Sequence, residues 1–294
     1  MTDNIHHIDM WIPPEMAARC EDAGVTKASM GWRNMFLLAV LAGAFIALGA
    51  VFATIVTTGA APLAFGIGRL IGGLAFCLGL VLVIVGGAEL FTGNNLIVMA
   101  WSSRKISSLQ LLRSWAIVYL GNLCGALLTA LLMLCSGQYL SGGGQVGLNI
   151  LNIAAAKCAL GFVHALVLGI MCNALVCMAV WLCYSARSTT DKILAIIFPI
   201  SAFVAAGFEH CVANMYFIPV GLLVKKTAPA DFWLAINKTA EDYAVLTWDN
   251  FCFVNLLPVS IGNIIGGAVL VGLVYWFVYI RRPRVSPFLE GEKR

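Results

Sequence analysis

Charge is what this chain has least of. Only 11% of its 294 residues are Asp, Glu, Lys or Arg, against roughly 25% in an average soluble domain. That shortage excludes a water-soluble globular fold. The net charge of +4 reflects an uneven placement of cations about a membrane and gives no reason to invoke nucleic acid. Metal-ligand spacing is missing as well. The 10 cysteines include no C-x-x-C pair, and most of them lie in apolar runs where a thiol acts as a small hydrophobe. Neither a disulfide framework nor a metal or other cofactor is expected. Histidine is scarce, with four in all, and only His164 and His210 join Glu89 and Glu209 inside apolar runs. A membrane metalloenzyme needs a richer cluster, so no catalytic residue is assigned. The polar, acidic start lacks the basic lead into a short apolar core that marks a cleavable signal peptide.

What is present is apolar: 61% hydrophobic residues and a mean hydropathy of +0.92. Long runs fall at about 35–56, 70–101, 114–135, 158–183, 193–224 and 251–280, and each reaches the roughly 20 residues needed to cross a bilayer. The expected fold is an all-α membrane protein with six transmembrane helices. Residues 1–34 precede the membrane domain of 35–280 as a segment with a short helix opened by Pro13-Pro14-Glu15 and closed at Gly24, and 281–294 form a tail. With the N-terminus inside, 13 of the 18 Lys and Arg lie on the cytoplasmic side, leaving Arg69, Lys157, Lys225, Lys226 and Lys238 outside. The positive-inside rule therefore places both termini in the cytoplasm.

A short polar cluster occurs twice within these runs: Gly87-Ala-Glu89-Leu-Phe-Thr-Gly-Asn94 and Gly207-Phe-Glu209-His210-Cys-Val-Ala-Asn214, both G-x-E-x-x-x-x-N. Glu89 is the only charged residue of 70–103, and Glu209 the only one of 193–224. Carboxylates are costly at membrane depth and mark function by default. Runs two and five exceed one perpendicular crossing and are read as broken helices, whose open backbone groups are tolerated only in protein or beside a water-filled cavity. Broken helices in matching places of two halves point to a transport site. Gly121-Asn122-Leu-Cys-Gly125 in run three is echoed by Gly262-Asn263-Ile-Ile-Gly266 in run six. Three crossings per half is an odd number, so the halves are inverted repeats. The stretch 136–147 is read as an outer loop joining the halves, and 225–248 as a second outer loop with a short helix near Asp231.

Glu89 and Glu209 each precede an expected half-helix (90–99 and 211–222), where a carboxylate accepts orphan N–H bonds or else meets the permeant. His210 stands opposite Leu90 in the other repeat, and imidazole is well suited to give an anion a hydrogen bond or a proton. Thr92 is placed to reach it across the repeat interface. Lys157 is read at the N-terminus of run four, a poor place for a cation unless it snorkels outward or draws anions into a vestibule. Asn173 and Asn263 either line the cavity or bond between helices.

At Glu89-Leu-Phe-Thr92, at Gly207-Phe-Glu-His-Cys-Val-Ala-Asn-Met215 and at Pro258-Val-Ser-Ile-Gly-Asn-Ile-Ile-Gly-Gly267, the sequence closely resembles the formate/nitrite transporter family, over about residues 8–280. Trp11-Ile-Pro-Pro-Glu-Met-Ala17, Asp231-Phe-Trp233 and Asn255-Leu-Leu-Pro258 are most similar to its formate-channel branch, and Gly93-Asn94 is nearer the nitrite branch. The resemblance implies an aquaporin-like fold in a bacterial inner membrane, a homopentamer with one pore per subunit, and two hydrophobic constrictions about a central histidine. Carried over, the histidine is His210, its hydroxyl partner Thr92 and the vestibule lysine Lys157. One constriction would hold Leu80, Leu90, Phe91 and Val98, and the other Phe76, Val176 and Phe203. The implied function is passage of small monovalent anions, formate foremost, with nitrite, hydrosulfide or a sodium-coupled carrier as rivals. Moving a carboxylate into a medium of dielectric about 4 costs on the order of 20 kcal/mol in the Born picture, so His210 is expected to mask the charge between two greasy rings.

Overall fold

A computed structural model describes residues 10–60 and 62–281; positions 1–9 of the lead-in and 282–294 of the expected tail lie outside the described residues. Six helices are long and apolar enough to cross a membrane: α2 (Trp32–Thr57), α3 (Phe65–Gly86), α5 (Ser108–Cys135), α7 (Phe162–Ser185), α8 (Thr189–Ala206) and α11 (Asn250–Tyr279). They alternate with shorter pieces: α1 (Pro13–Ser29), α4 (Val98–Ser102), α6 (Gln145–Cys158), α9 (Cys211–Thr227) and α10 (Ala230–Ala235). Crossing six times would leave both described ends on one face. The described residues contain no strand.

Close helix crossings follow from small residues. A Cβ on Gly43 would overlap the Asn122 carbonyl, and one on Gly125 the Val40 carbonyl, so α2 lies backbone to backbone on α5. In the second half, Gly262 and Gly266 of α11 lie in the same way on the Leu166 and Ile170 carbonyls of α7. Backbone approach of this kind is how apolar helices associate where lipid removes the hydrophobic driving force. The two sets match with a constant shift. Met35, Ala39, Ala42, Gly43 and Ile46 are the buried face of α2, and Ala165, Gly169, Cys172, Asn173 and Val176, each 130 residues later, are that of α7. The expected duplication is present in the packing.

Four expectations need correction. The lead-in helix runs past Gly24 to Ser29, because Gly24 does not end it: a Cβ there would lie 3.1 Å from Ala100 Cβ, so the glycine admits α4 and the segment before it. The loop expected over 136–147 ends early, since α6 begins at Gln145. Lys157 is consequently in the last turn of α6, not at the start of the fourth span, and a cation there complements the helix dipole instead of opposing it. The half-helix expected over 90–99 is a 3₁₀ turn, Gly93–Ile97, followed by α4; its partner, α9, runs from Cys211 to Thr227. The span α11 also has π-helical stretches at Asn250–Leu256 and Ile265–Leu273.

Candidate functional site: the junction between two helix breaks

Spans α3 and α8 both end on a left-handed glycine, Gly87 (φ 74°) and Gly207 (φ 77°). Each glycine closes its helix and redirects the chain, and the backbone groups freed at the break are met by the same bonds in both halves. Glu89 N donates to Leu38 O at 3.2 Å, and Glu209 N to Leu168 O at 3.3 Å. Asn122 Oδ1 accepts from Phe91 N while its Nδ2 donates to Ala39 O and Glu89 O; Asn263 makes the equivalent bonds with Cys211 N, Gly169 O and Glu209 O. The two echoed asparagines are therefore clamps on the breaks, and Asn263 is a bond between helices, not a wall of a cavity.

Neither glutamate caps a helix through backbone N–H groups, contrary to expectation. Each is buried and receives side chains instead. Glu89 accepts from Lys27 Nζ at 2.6 Å and Asn94 Nδ2 at 2.7 Å. Glu209 accepts from Lys157 Nζ at 2.8 Å, Asn214 Nδ2 at 2.6 Å and Asn255 Nδ2 at 3.2 Å. A buried carboxylate needs such partners to be tolerated at all. The reason is geometric: each lysine ends a short helix, α1 or α6, that lies beside its break. Lys27, Asn94, Asn214 and Asn255 were missed by sequence reasoning. A signal for Lys27 exists, since Lys27, Gly31 and Trp32 share their spacing with Lys157, Gly161 and Phe162.

The cap of α9 is His210. Its Nδ1 accepts from Ala213 N at 3.1 Å, and its Nε2 lies 3.0 Å from Thr92 Oγ1. Because Nδ1 takes an N–H, the neutral ring carries its proton on Nε2, which then faces Thr92 as donor. Thr92 and His210 are both buried and come from opposite repeats, as expected. Asn173 fixes the other side of this junction: its Nδ2 donates to Thr92 O, Asn95 Oδ1 and Asn263 O. It too ties helices together.

Two cavities flank the junction. The one on the α1 side, about 310 Å³, is bordered by Leu80, Leu90, Asn94, Glu89 and Lys27. The other, about 680 Å³, is bordered by Phe76, Phe203, Asn214, Glu209, Lys157 and His210. Phe76 and Phe203 meet edge to face with centroids 5.7 Å apart, and Phe203 lies nearly parallel to the His210 ring at 5.9 Å. Of the expected constriction residues, Phe91, Val98 and Val176 border neither cavity. Phe91 packs edge-on against Tyr119 at 4.9 Å and Trp115 at 6.3 Å, and Val98 Cγ1 lies 2.6 Å from where a Cβ on Gly272 would stand. Among the described residues no group of three or more His, Cys, Asp or Glu is placed to hold a metal ion.

A family model described as formate/nitrite transporter matches residues 14–277. The chain belongs to the formate/nitrite transporter family. Within that family it is 47% identical over 273 residues to the formate channel FocA of Escherichia coli K12, covering 93% of this chain and 96% of the relative. It is 41% identical over 261 residues to the formate channel FocA of Haemophilus influenzae, covering 89% and 92%. Among solved structures, a pentameric formate channel with formate bound aligns with a TM-score of 0.82 at 47% identity, over 85% of this chain and 98% of that one. An FNT family ion channel aligns at 0.76 and 28% identity, over 89% and 98%. Like these family members, the chain is a multi-pass membrane protein, and the relatives named here are all channels.

Proposed function

We propose that this chain is a channel for small monovalent anions, with formate as its main permeant, working as a homopentamer with one pore per subunit in a bacterial inner membrane, both termini cytoplasmic. It carries its substrate across unchanged and is not an enzyme. The observation that carries the reading is the His210–Thr92 contact of 3.0 Å, placed between two cavities and walled by Phe76 and Phe203. The match to a formate-bound relative at 47% identity supports formate as the substrate.

An anion approaching from the larger cavity meets the apolar Phe76–Phe203 collar, and one approaching from the smaller cavity meets Leu80 and Leu90. Between the collars stand the His210 Nε2 hydrogen and the Thr92 hydroxyl. His210 donates a hydrogen bond to the passing carboxylate while its Nδ1 remains on the Ala213 amide. Full proton transfer from the ring would require an imidazolium with a proton on Nδ1, which would displace that amide, so the geometry favours hydrogen-bond donation. Glu89 and Glu209 hold the two lysines and the breaks in place.

A hydrogen bond to a charged group contributes about 1.5–3 kcal/mol, equivalent to roughly 10- to 150-fold in rate. Stopped-flow formate uptake into vesicles holding the His210→Phe protein is expected to fall by such a factor at neutral pH. His210→Asn, which preserves an N-cap, controls for the helix. Unchanged, pH-independent uptake by His210→Phe would overturn the mechanism.

A further inference from the structure

Lys157 is the obvious attractant for an anion entering the larger cavity, yet its charge is already matched by Glu209 at 2.8 Å. One other ionised side chain borders that cavity: Arg69, in the second turn of α3. Its Nε donates to Ala205 O at 2.9 Å and its Nη2 to Val204 O at 3.1 Å. These are closing carbonyls of α8, where a cation complements the helix dipole. The contact joins the two repeats just before Gly207, and a Cβ on Gly207 would lie 2.6 Å from Nη2. Phe65 lies against the guanidinium, its ring centre 5.9 Å from Cζ.

The carbonyls occupy one edge of the guanidinium. The adjoining edge, Nη1 with the second hydrogen of Nη2, has no partner among the described residues, and none of their carboxylates pairs with Arg69. We propose that this free edge is a carboxylate-docking site at the mouth of the larger cavity, and that it is a specificity-determining contact for the permeant. A planar guanidinium edge matches two coplanar oxygens bidentately. Formate offers that pair and hydrosulfide does not. Arg69 therefore supplies both the unbalanced positive charge of this mouth and a shape filter ahead of the apolar collar, with its orientation fixed by Val204 and Ala205. The inference rests on the channel reading above and names the first contact in its pathway.

The test uses the full-length protein in vesicles, comparing wild type, Arg69→Lys and Arg69→Gln for uptake of formate and of hydrosulfide over a concentration series. Lysine keeps the charge but loses the planar edge. Arg69→Lys is expected to raise the half-saturating formate concentration about tenfold, the worth of a charge-assisted hydrogen bond, and to leave that for hydrosulfide within about twofold. Arg69→Gln raises both, formate more steeply. Arg69→Lys matching wild type for formate would reduce Arg69 to a point charge and overturn the proposal. Equal losses for both anions in Arg69→Lys would reduce it to a brace, with the same consequence. Saturation-transfer NMR of formate on the solubilised protein reads docking without passage: a signal in wild type that is lost in Arg69→Lys supports the site even if vesicles show no formate flux, an outcome that would instead refute the channel reading. No signal difference between the two proteins would overturn the site.

Discussion

The Lys157–Glu209 pair offers the sharpest measure of how the breaks are held. At 2.8 Å, two unit charges attract by about 6 kcal/mol at an effective dielectric of about 20, and most of that is offset by desolvation, so the pair as a whole adds little. Removing one partner is different, because it strands a charge and costs about 3–5 kcal/mol in a fully buried pair. The Glu209 side chain is 6% exposed and that of Lys157 16%. Lys157→Gln leaves a carboxylate supported only by the Asn214 and Asn255 amides, and about 3 kcal/mol is expected. Glu209→Gln leaves an ammonium that borders a cavity and lies 5.4 Å from the Phe217 ring centre, so about 2 kcal/mol is expected.

The double variant strands neither charge, so it should cost about 1 kcal/mol and not the sum of the singles, giving a coupling of about 4 kcal/mol. Thermal melting of the detergent-solubilised protein reads this directly. For a chain of this size each kcal/mol moves the midpoint by about 2–4 °C, so the double variant should melt above both single variants and at least about 8 °C above the additive value. Additive shifts would refute the reasoning, since they would mean that the charges are independently solvated. The same cycle on Lys27 and Glu89 should give a smaller coupling, because Lys27 is more exposed at 28%.

Three further outcomes are expected. Gly266→Ala forces α7 and α11 apart, because its Cβ would overlap the Ile170 carbonyl; overpacking of this kind costs about 1–3 kcal/mol or more. A lower melting temperature is expected, with Gly86→Ala, whose Cβ meets only the Phe45 ring edge at 3.6 Å, as the near-neutral control. Equal melting of the two variants would contradict the crossing geometry. In thiol labelling, burial pushes the Cys20 thiol up to about 12, so at pH 8 about one in 10⁴ is thiolate and Cys20 should resist maleimide until the protein unfolds. A cysteine at exposed Ser141 should react with an impermeant maleimide on intact cells, above the wild-type background. Reaction only in inverted vesicles would reverse the proposed orientation.

Much of this was legible in the sequence because its signals were local. Six apolar runs, two G-x-E-x-x-x-x-N clusters and the Gly-Asn-x-x-Gly echo required only neighbours along the chain. The facing of Thr92 and His210 followed from placing one in each break. Other features were hidden because they depend on partners remote in sequence. Nothing near Glu89 announces Lys27, 62 positions earlier in a polar lead-in. The helix α6 was masked because Asn149, Asn152 and Lys157 interrupt its hydropathy, and with it went the true placement of Lys157. Asn173 and Asn263 left two readings open, since a buried amide donates equally well to solvent or to a carbonyl, and only the distances decide.

The two repeats divide the work between what they share and where they differ. The shared residues, Glu89 and Glu209, Asn94 and Asn214, Asn122 and Asn263, Lys27 and Lys157, make near-equal bonds in both halves. Equal bonds under an inverting symmetry can build two matching breaks, but they cannot favour a particular chemistry at the centre, where the copies meet. That chemistry comes from broken symmetry. Leu90 stands opposite His210 and Gly43 opposite Asn173, so one repeat contributes an apolar wall and a gap for a neighbouring helix while the other contributes an imidazole and an amide. Thr92 and Asn95 then receive those polar groups from the first repeat. A second histidine at Leu90 would add another donor, but it would also remove one of the two residues that wall the smaller cavity. On the proposed channel reading, a single imidazole between two apolar collars is thus the arrangement in which charge is met once, with an apolar wall on each side of the meeting point.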